Sequence, residues 1–151
     1  MIFLDSTFLI QLLRKNEEAI NKLKLMKDQS IITSVINIYE IWLGFYKNKM
    51  INSNQDYKQI IEERITKLTN SLQILEFNKI NARLSAEIGG GLLADGKDIG
   101  DKDTIIAGLM KSYGIKYIIT ANVQHFERVK GLIVLDQNGT DEQLKSMVEL
   151  Q

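Results

Sequence analysis

Five short runs rich in β-branched and other apolar residues punctuate the chain, over residues 1–4, 30–33, 72–76, 116–120 and 132–135. Between them apolar residues recur at helical spacing, so the order reads strand, helices, strand, helices, strand, helices, strand, short helix, strand. That alternation predicts a central parallel sheet of about five strands with helices on both faces. Residues 47–69 read as a helix end, a polar turn around 50–54 and a second amphipathic helix. Gly89, Gly90 and Gly91 fall within the otherwise helical stretch 78–94. Each disfavours a helix by roughly 1 kcal/mol relative to alanine, so a break, or the close packing of another backbone, is expected there. The tail from residue 138 is polar and either frays or forms a last helix over 141–150.

The segment SVINIYEIWLGFYKN is the most informative of the helices. Its apolar residues, from Val35 to Tyr46, wrap most of the circumference, which predicts a largely buried helix. Asn37, Glu40, Gly44 and Lys47 interrupt them on one narrow stripe. A lone carboxylate on a buried helix is costly to desolvate without a partner, so this stripe reads as one side of a polar cleft. The plainer alternative is a solvent face with Glu40 exposed.

Three further positions carry the same ambiguity. Asp5 ends the first strand, Asp101 and Asp103 precede the apolar run from Thr104, and Asn122 follows the fourth strand. Each suits the N-cap of the next helix, and that local reading stays open. Ligands of open α/β sheets, however, bind in the crevice beyond the carboxyl ends of the strands, where Asp5, Asp103 and Asn122 would gather. Clustered carboxylates repel unless a cation holds them. With only oxygen donors present, the expected ion is Mg²⁺ or Mn²⁺, which points to phosphate chemistry. His125 is the single histidine and has no cysteine or second histidine with which to build a zinc site.

Composition narrows the classes. A chain of 151 residues with 44% hydrophobic and 25% charged residues fits one soluble globular domain over 1–151. The absence of cysteine excludes disulfides, thiolate sites and cysteine nucleophiles. Nineteen basic residues balance nineteen acidic ones, so a polyanion must be met by a local patch and not by net charge. No stretch approaches the roughly 18 uninterrupted apolar residues of a membrane span, and Asp5 inside the first apolar run argues against a signal peptide. A cytoplasmic location is expected.

Taken in order, MIFLDSTFLI, the YE of SVINIYEIWLG, IGDKDTIIAG and YIITANVQHFERVKGLIVL resemble a PIN domain, and more closely the ribonuclease toxins of VapBC-type toxin-antitoxin pairs. The resemblance runs from Met1 to Leu135. It implies a three-layer α/β/α fold, metal-dependent endoribonuclease activity, a homodimer, and inhibition by a cognate antitoxin protein. By position, Asp5, Glu40 and Asp103 match the three core acids, and Asn122 matches a fourth position that is often aspartate. Thr120 matches a hydroxyl beside the site. With Asn122 in place of an acid, one ion bound by Asp5, Glu40 and Asp103 is expected, with Asp101 as a lesser ligand. The implied mechanism is in-line attack on phosphorus by a metal-activated water, with Asn37 supporting the site and Lys47, Arg14, Lys15 or Arg128 receiving the RNA backbone. The alternative is a PIN-like module that binds RNA or protein without cutting.

Overall fold

A computed structural model describes residues 1–149. Strands β1 (Ile2–Leu4), β2 (Ile31–Ser34), β3 (Gln73–Leu75), β4 (Tyr117–Thr120) and β5 (Ile133–Asp136) form one parallel sheet in the order β3-β2-β1-β4-β5. The chain builds outward from β1 to β3 and then returns to the other flank of β1. The topological switch point, where open α/β sheets hold ligands, therefore lies between β1 and β4. Their register pairs Leu4 with Ile119, which sets Asp5 beside Thr120 at the carboxyl end of the sheet.

Period-two alternation in β1 divides the core. Ile2 and Leu4 face one apolar layer with Phe8, Leu9, Ile41 and Phe45, while Phe3 faces the other with Ile106, Leu109 and Phe126. Helices α1 (Ser6–Leu13), α2 (Glu17–Leu25), α3 (Val35–Lys47), α4 (Lys49–Ser53), α5 (Gln55–Asn70) and α9 (Asp141–Glu149) cover the first side. Helices α6 (Lys79–Ala94), α7 (Asp101–Ser112) and α8 (Val123–Phe126) cover the second. The result is the expected three-layer α/β/α arrangement. No helix among the described residues is long and apolar enough to cross a membrane.

Two details differ from the sequence reading, and the tail takes one of the two forms it allowed. The polar turn expected at 50–54 is largely the short helix α4, because the Asn48 side chain accepts from the amides of Met50 and Ile51 and so starts a new helix. Helix α3 is less buried than its composition implies: Tyr39 is 57% exposed and Tyr46 61%. Their ring edges supply apolar character to the sequence, but the core takes only Ile41 and Phe45 of the helix's apolar residues into full burial. The tail is helical over α9, and Leu150 of the expected last helix lies outside the described residues.

The triple glycine does not break α6, which runs unbroken through it. Close packing is the answer for one glycine of the three. A Cβ on Gly89 would sit 2.8 Å from Thr104 Cγ2 of α7, whereas Gly90 and Gly91 face open space. Further along the antiparallel pair, a Cβ on Gly108 would lie 2.5 Å from Ser85 Cα and 2.6 Å from Ser85 N. Asn81 Nδ2 donates to Ser112 Oγ at the far end. Contacts repeating every four residues draw the two helices together along one ridge, and that fixes the depth at which the first turn of α7 enters the sheet edge.

Gly108→Ala is expected to destabilise the protein by about 3 kcal/mol, since the clash is with backbone that cannot turn aside. Gly91→Ala, in open space, is expected to stabilise it by up to about 1 kcal/mol. Urea denaturation midpoints of the two variants check both signs.

Candidate active site

Four residues at helix starts have the identity of a cap and do not act as one. Asp5 stands at the N-cap of α1, Asn122 at that of α8, and neither side chain makes a capping hydrogen bond. Neither Asp101 nor Asp103 caps α7, whose N-cap is Gly100 at φ +80°. Elsewhere Asn16, Ser34, Asn48, Asn54 and Asn78 all cap in the ordinary way. The side chains of Asp5, Asp103 and Asn122 are withheld from capping and turned to one another's neighbourhood at the head of the sheet.

Asp5 is the innermost group, 1% exposed. Its Oδ2 accepts from Thr120 Oγ1 at 2.6 Å and from Thr7 Oγ1 at 2.9 Å, and its Oδ1 accepts from Asn37 Nδ2 at 2.8 Å. The hydroxyls and amide around it are themselves fixed: Thr7 Oγ1 accepts from the amide of Ala121, Thr120 Oγ1 from that of Asn122, and Asn37 Oδ1 from Ser34 Oγ. Burial pushes the Asp5 carboxyl above the ordinary range, the hydrogen bonds from Thr120 and Thr7 oppose the rise, and the charge of Asp103 adds to it.

Asp103 is 8% exposed on the first turn of α7. His125 Nδ1 of α8 lies 2.6 Å from its Oδ2, and Asn122 Nδ2 donates to the same oxygen at 3.3 Å. Burial raises its pKa, the contact with His125 pulls it back, and the charge of Glu40 pushes it up again.

Glu40 projects from α3 one turn after Asn37. Its Oε2 accepts from Ser6 Oγ at 2.7 Å, and its Oε1 pairs with Lys102 Nζ at 2.5 Å. Ser6 Oγ also lies 3.5 Å from Asp5 Oδ1, so this hydroxyl stands between the two acids. The hydrogen bond to Glu40 holds Lys102 above its usual pKa.

The acids thus share one electrostatic neighbourhood, yet they are not gathered round a common point. Among the described residues no three Asp, Glu or His side chains stand close enough together to enclose one ion. Each carboxylate has its own partners: Asp5 two threonine hydroxyls and an amide, Asp103 His125 and Asn122, Glu40 Lys102 and Ser6.

A PIN-domain family model matches residues 2–132. The chain belongs to the PIN-domain family. This PIN domain is 25% identical over 129 residues, 85% of the chain and 92% of the relative, to the tRNA(fMet)-specific endonuclease VapC of Shigella flexneri. Its fold is similar to that of FitAcB from Neisseria gonorrhoeae, with a TM-score of 0.76 at 25% identity over 91% of this chain and 98% of that one. It is similar too to VapBC-1 of nontypeable Haemophilus influenzae, with a TM-score of 0.71 at 26% identity over 92% and 100% of the two chains.

Other residues singled out from the sequence fall away from this head of the sheet. Asp101 is exposed and makes none of the site's hydrogen bonds, Lys47 is exposed on α3, and Arg128 donates to the carbonyl of Asp98. Arg14 and Gly44 line a separate groove of about 430 Å³ between α1, α3, α4 and α5. Conversely, Ser6, Thr7 and Lys102 contact the acids and were not singled out, and His125, considered only as a zinc ligand, contacts Asp103. Their signal was adjacency: Ser6 and Thr7 follow Asp5, Lys102 precedes Asp103, and His125 sits one helical turn beyond Asn122.

Raised carboxyls set the sign of a pH effect. Between the ordinary value of 3.8 and the raised one, the native protein holds protons that the unfolded chain has released, so stability falls as pH climbs through that window. In chelator at pH 7, Asp103→Asn is expected to raise the melting temperature, by roughly 2–4 °C for each kcal/mol of strain relieved. It is also expected to flatten the pH dependence above pH 4. Calorimetric melts between pH 4 and 8 check it, and a lower melting temperature would contradict the assignment of Asp103 as an electrostatically strained group.

Proposed function

We propose that this PIN domain is a metal-dependent endoribonuclease, the toxin of a toxin-antitoxin pair, hydrolysing RNA phosphodiesters at the Asp5 edge of the sheet. The observation that carries this reading is the burial of Asp5 without a cationic partner: its carboxylate is held by three uncharged donors and further strained by Asp103. A protein that wanted only a helix cap there would not bury the acid, orient it with a threonine from 115 residues away, and leave the cap unmade.

The donor set fits Mg²⁺ or Mn²⁺. It consists of hard carboxylate oxygens with no thiolate, and a cation relieves the strain that burial and mutual repulsion place on Asp5 and Asp103. The ammonium of Lys102 already marks Glu40 as a place that takes positive charge. When bound, the ion supplies Lewis acidity toward a phosphodiester oxygen and acidifies water. The chain's own residues provide the geometry. Thr7, Thr120 and Asn37 hold Asp5 in one orientation, His125 and Asn122 orient Asp103, and Ser6 ties Asp5 to Glu40. Asn122, with an amide where an acid would bring a fourth charge, positions water or phosphate and does not hold metal.

The partner reading rests on the apolar groove. Ile10, Leu13, Ile41, Phe45, Ile51 and Ile61 line it, and it opens one turn beyond Glu40 along α3. Its size and apolar lining suit an antitoxin segment, as in the VapBC-type pairs the sequence resembles, and Arg14 at its rim suits an acidic residue of that segment or the RNA backbone. Exposed Tyr39 and Tyr46 of α3, with Met50 of the groove's lining, supply apolar surface for a homodimer contact. A second reading, a PIN-like module that binds RNA or protein without cleavage, draws on Asn122 and on the separation of the carboxylates.

Asp5→Asn is expected to lower RNA cleavage by more than about 100-fold while leaving the circular dichroism spectrum unchanged and the melting temperature in chelator no lower than that of the wild type. EDTA is expected to silence the wild type, and Mn²⁺ to restore it. Undiminished cleavage by a clean Asp5→Asn preparation sinks the nuclease reading. RNA binding with no cleavage in any divalent metal favours the second.

A further inference from the structure

RNA is a polyanion and this chain has no net charge, nineteen basic residues against nineteen acidic ones, so whatever draws a phosphate to the acidic edge has to be local. Among the described residues Lys102 is the lysine or arginine that pairs with one of the three acids. Its ammonium reaches from the first turn of α7 to α3 and meets Glu40 Oε1 at 2.5 Å. The charge of Asp103 acts on it as well. The basic residues first considered for the RNA backbone stand elsewhere: Arg14 lines the apolar groove, and Arg128 is engaged by the carbonyl of Asp98.

This ammonium is held without being sealed in. The Lys102 side chain is 56% exposed, and an ion pair open to solvent contributes little while the ordering of a long side chain opposes it. It can therefore exchange Glu40 for another anion with little loss. Glu40 does not depend on it, because Oε2 keeps the hydroxyl of Ser6 at 2.7 Å when Oε1 is released. An ammonium has three donors and Glu40 Oε1 takes one, so contact with a phosphate oxygen can begin before the ion pair is given up.

We propose that Lys102 is a substrate-binding residue: the ion pair with Glu40 holds its ammonium at the mouth of the acidic edge, and an RNA phosphate takes that ammonium over when the strand arrives. The inference deepens the nuclease reading and rests on its RNA part alone, since the contact needs neither cleavage nor metal. A cation that meets phosphate reads no base, so its contribution is the same for every RNA sequence.

The test is fluorescence anisotropy of a labelled single-stranded RNA oligonucleotide in EDTA, which keeps the strand uncut, over a series of KCl concentrations. Wild type, Lys102→Gln and Lys102→Arg are compared, and Lys102→Gln is made again in Glu40→Gln protein. Circular dichroism verifies that each variant folds. Expected is weaker binding by Lys102→Gln, with the slope of log K against log salt shallower by about 0.7, the value for one phosphate contact to a single strand, and the wild-type slope in Lys102→Arg. The same loss is expected when Lys102→Gln is added to Glu40→Gln. An unchanged slope in Lys102→Gln overturns the proposal, as does an equal loss of slope in Lys102→Arg, which keeps the charge. So does a loss that disappears in Glu40→Gln protein, because the lysine then only masks the charge of Glu40 and touches no phosphate. Failure of the underlying reading looks different: a wild type that binds no RNA at any salt concentration removes the RNA reading and the proposal together, whereas binding with no cleavage in any divalent metal removes the nuclease and leaves the proposal standing.

Discussion

A carboxylate shut away from water has to be met by donors or by a cation, and the head of this sheet is organised round that requirement at Asp5. An isolated buried charge is prohibitively costly, so the fold supplies three neutral donors, one from its own helix, one from α3 and one from the end of β4. Each donor is oriented by a further bond to backbone or side chain. The arrangement is good enough to keep the group in place and not good enough to relax it, since burial still wins over hydrogen bonding in setting its pKa. An acid kept in that condition is poised for positive charge, and the same condition, more weakly, describes Asp103.

The packing of α6 against α7 belongs to this picture. Asp103 stands where it does because the first turn of α7 can approach α6 to the depth that a glycine at 89 allows, and Thr104 fills the space a side chain there would need. The register of β1 with β4 then brings Asn122 and His125 to the opposite flank of the same carboxylate. Two unrelated packing constraints, a helix ridge and a strand register, thereby converge on one residue.

Much of this was readable in the chain. The five strands and their parallel sheet followed from apolar runs spaced by helical segments, and the positions of Asp5, Asp103 and Asn122 at strand ends or helix starts followed from the same pattern. What the pattern could not settle was whether those residues cap or converge, because both outcomes want the same residue types at the same places. Only the direction of the side chain separates them, and direction depends on Thr120 and Asn37, distant in sequence. Helix α3 misled for a related reason: Tyr39 and Tyr46 count as apolar in a pattern, but a tyrosine satisfies its hydroxyl in water and need not be interior. Lys102 was marked only by its place beside Asp103, because a lysine among nineteen basic residues carries no sign that Glu40 will be its partner.

The strand order has a bearing on how the molecule comes into being. β1 is made first and lies at the centre of the sheet, but its neighbour on one side is β4, and the hydroxyl that steadies Asp5 arrives 115 residues later. A nascent chain emerging from the ribosome therefore carries Asp5 and Glu40 long before it has the means to order them. Non-local closure of this kind comes late in folding. During most of its synthesis the polypeptide has the acids of the edge without the edge.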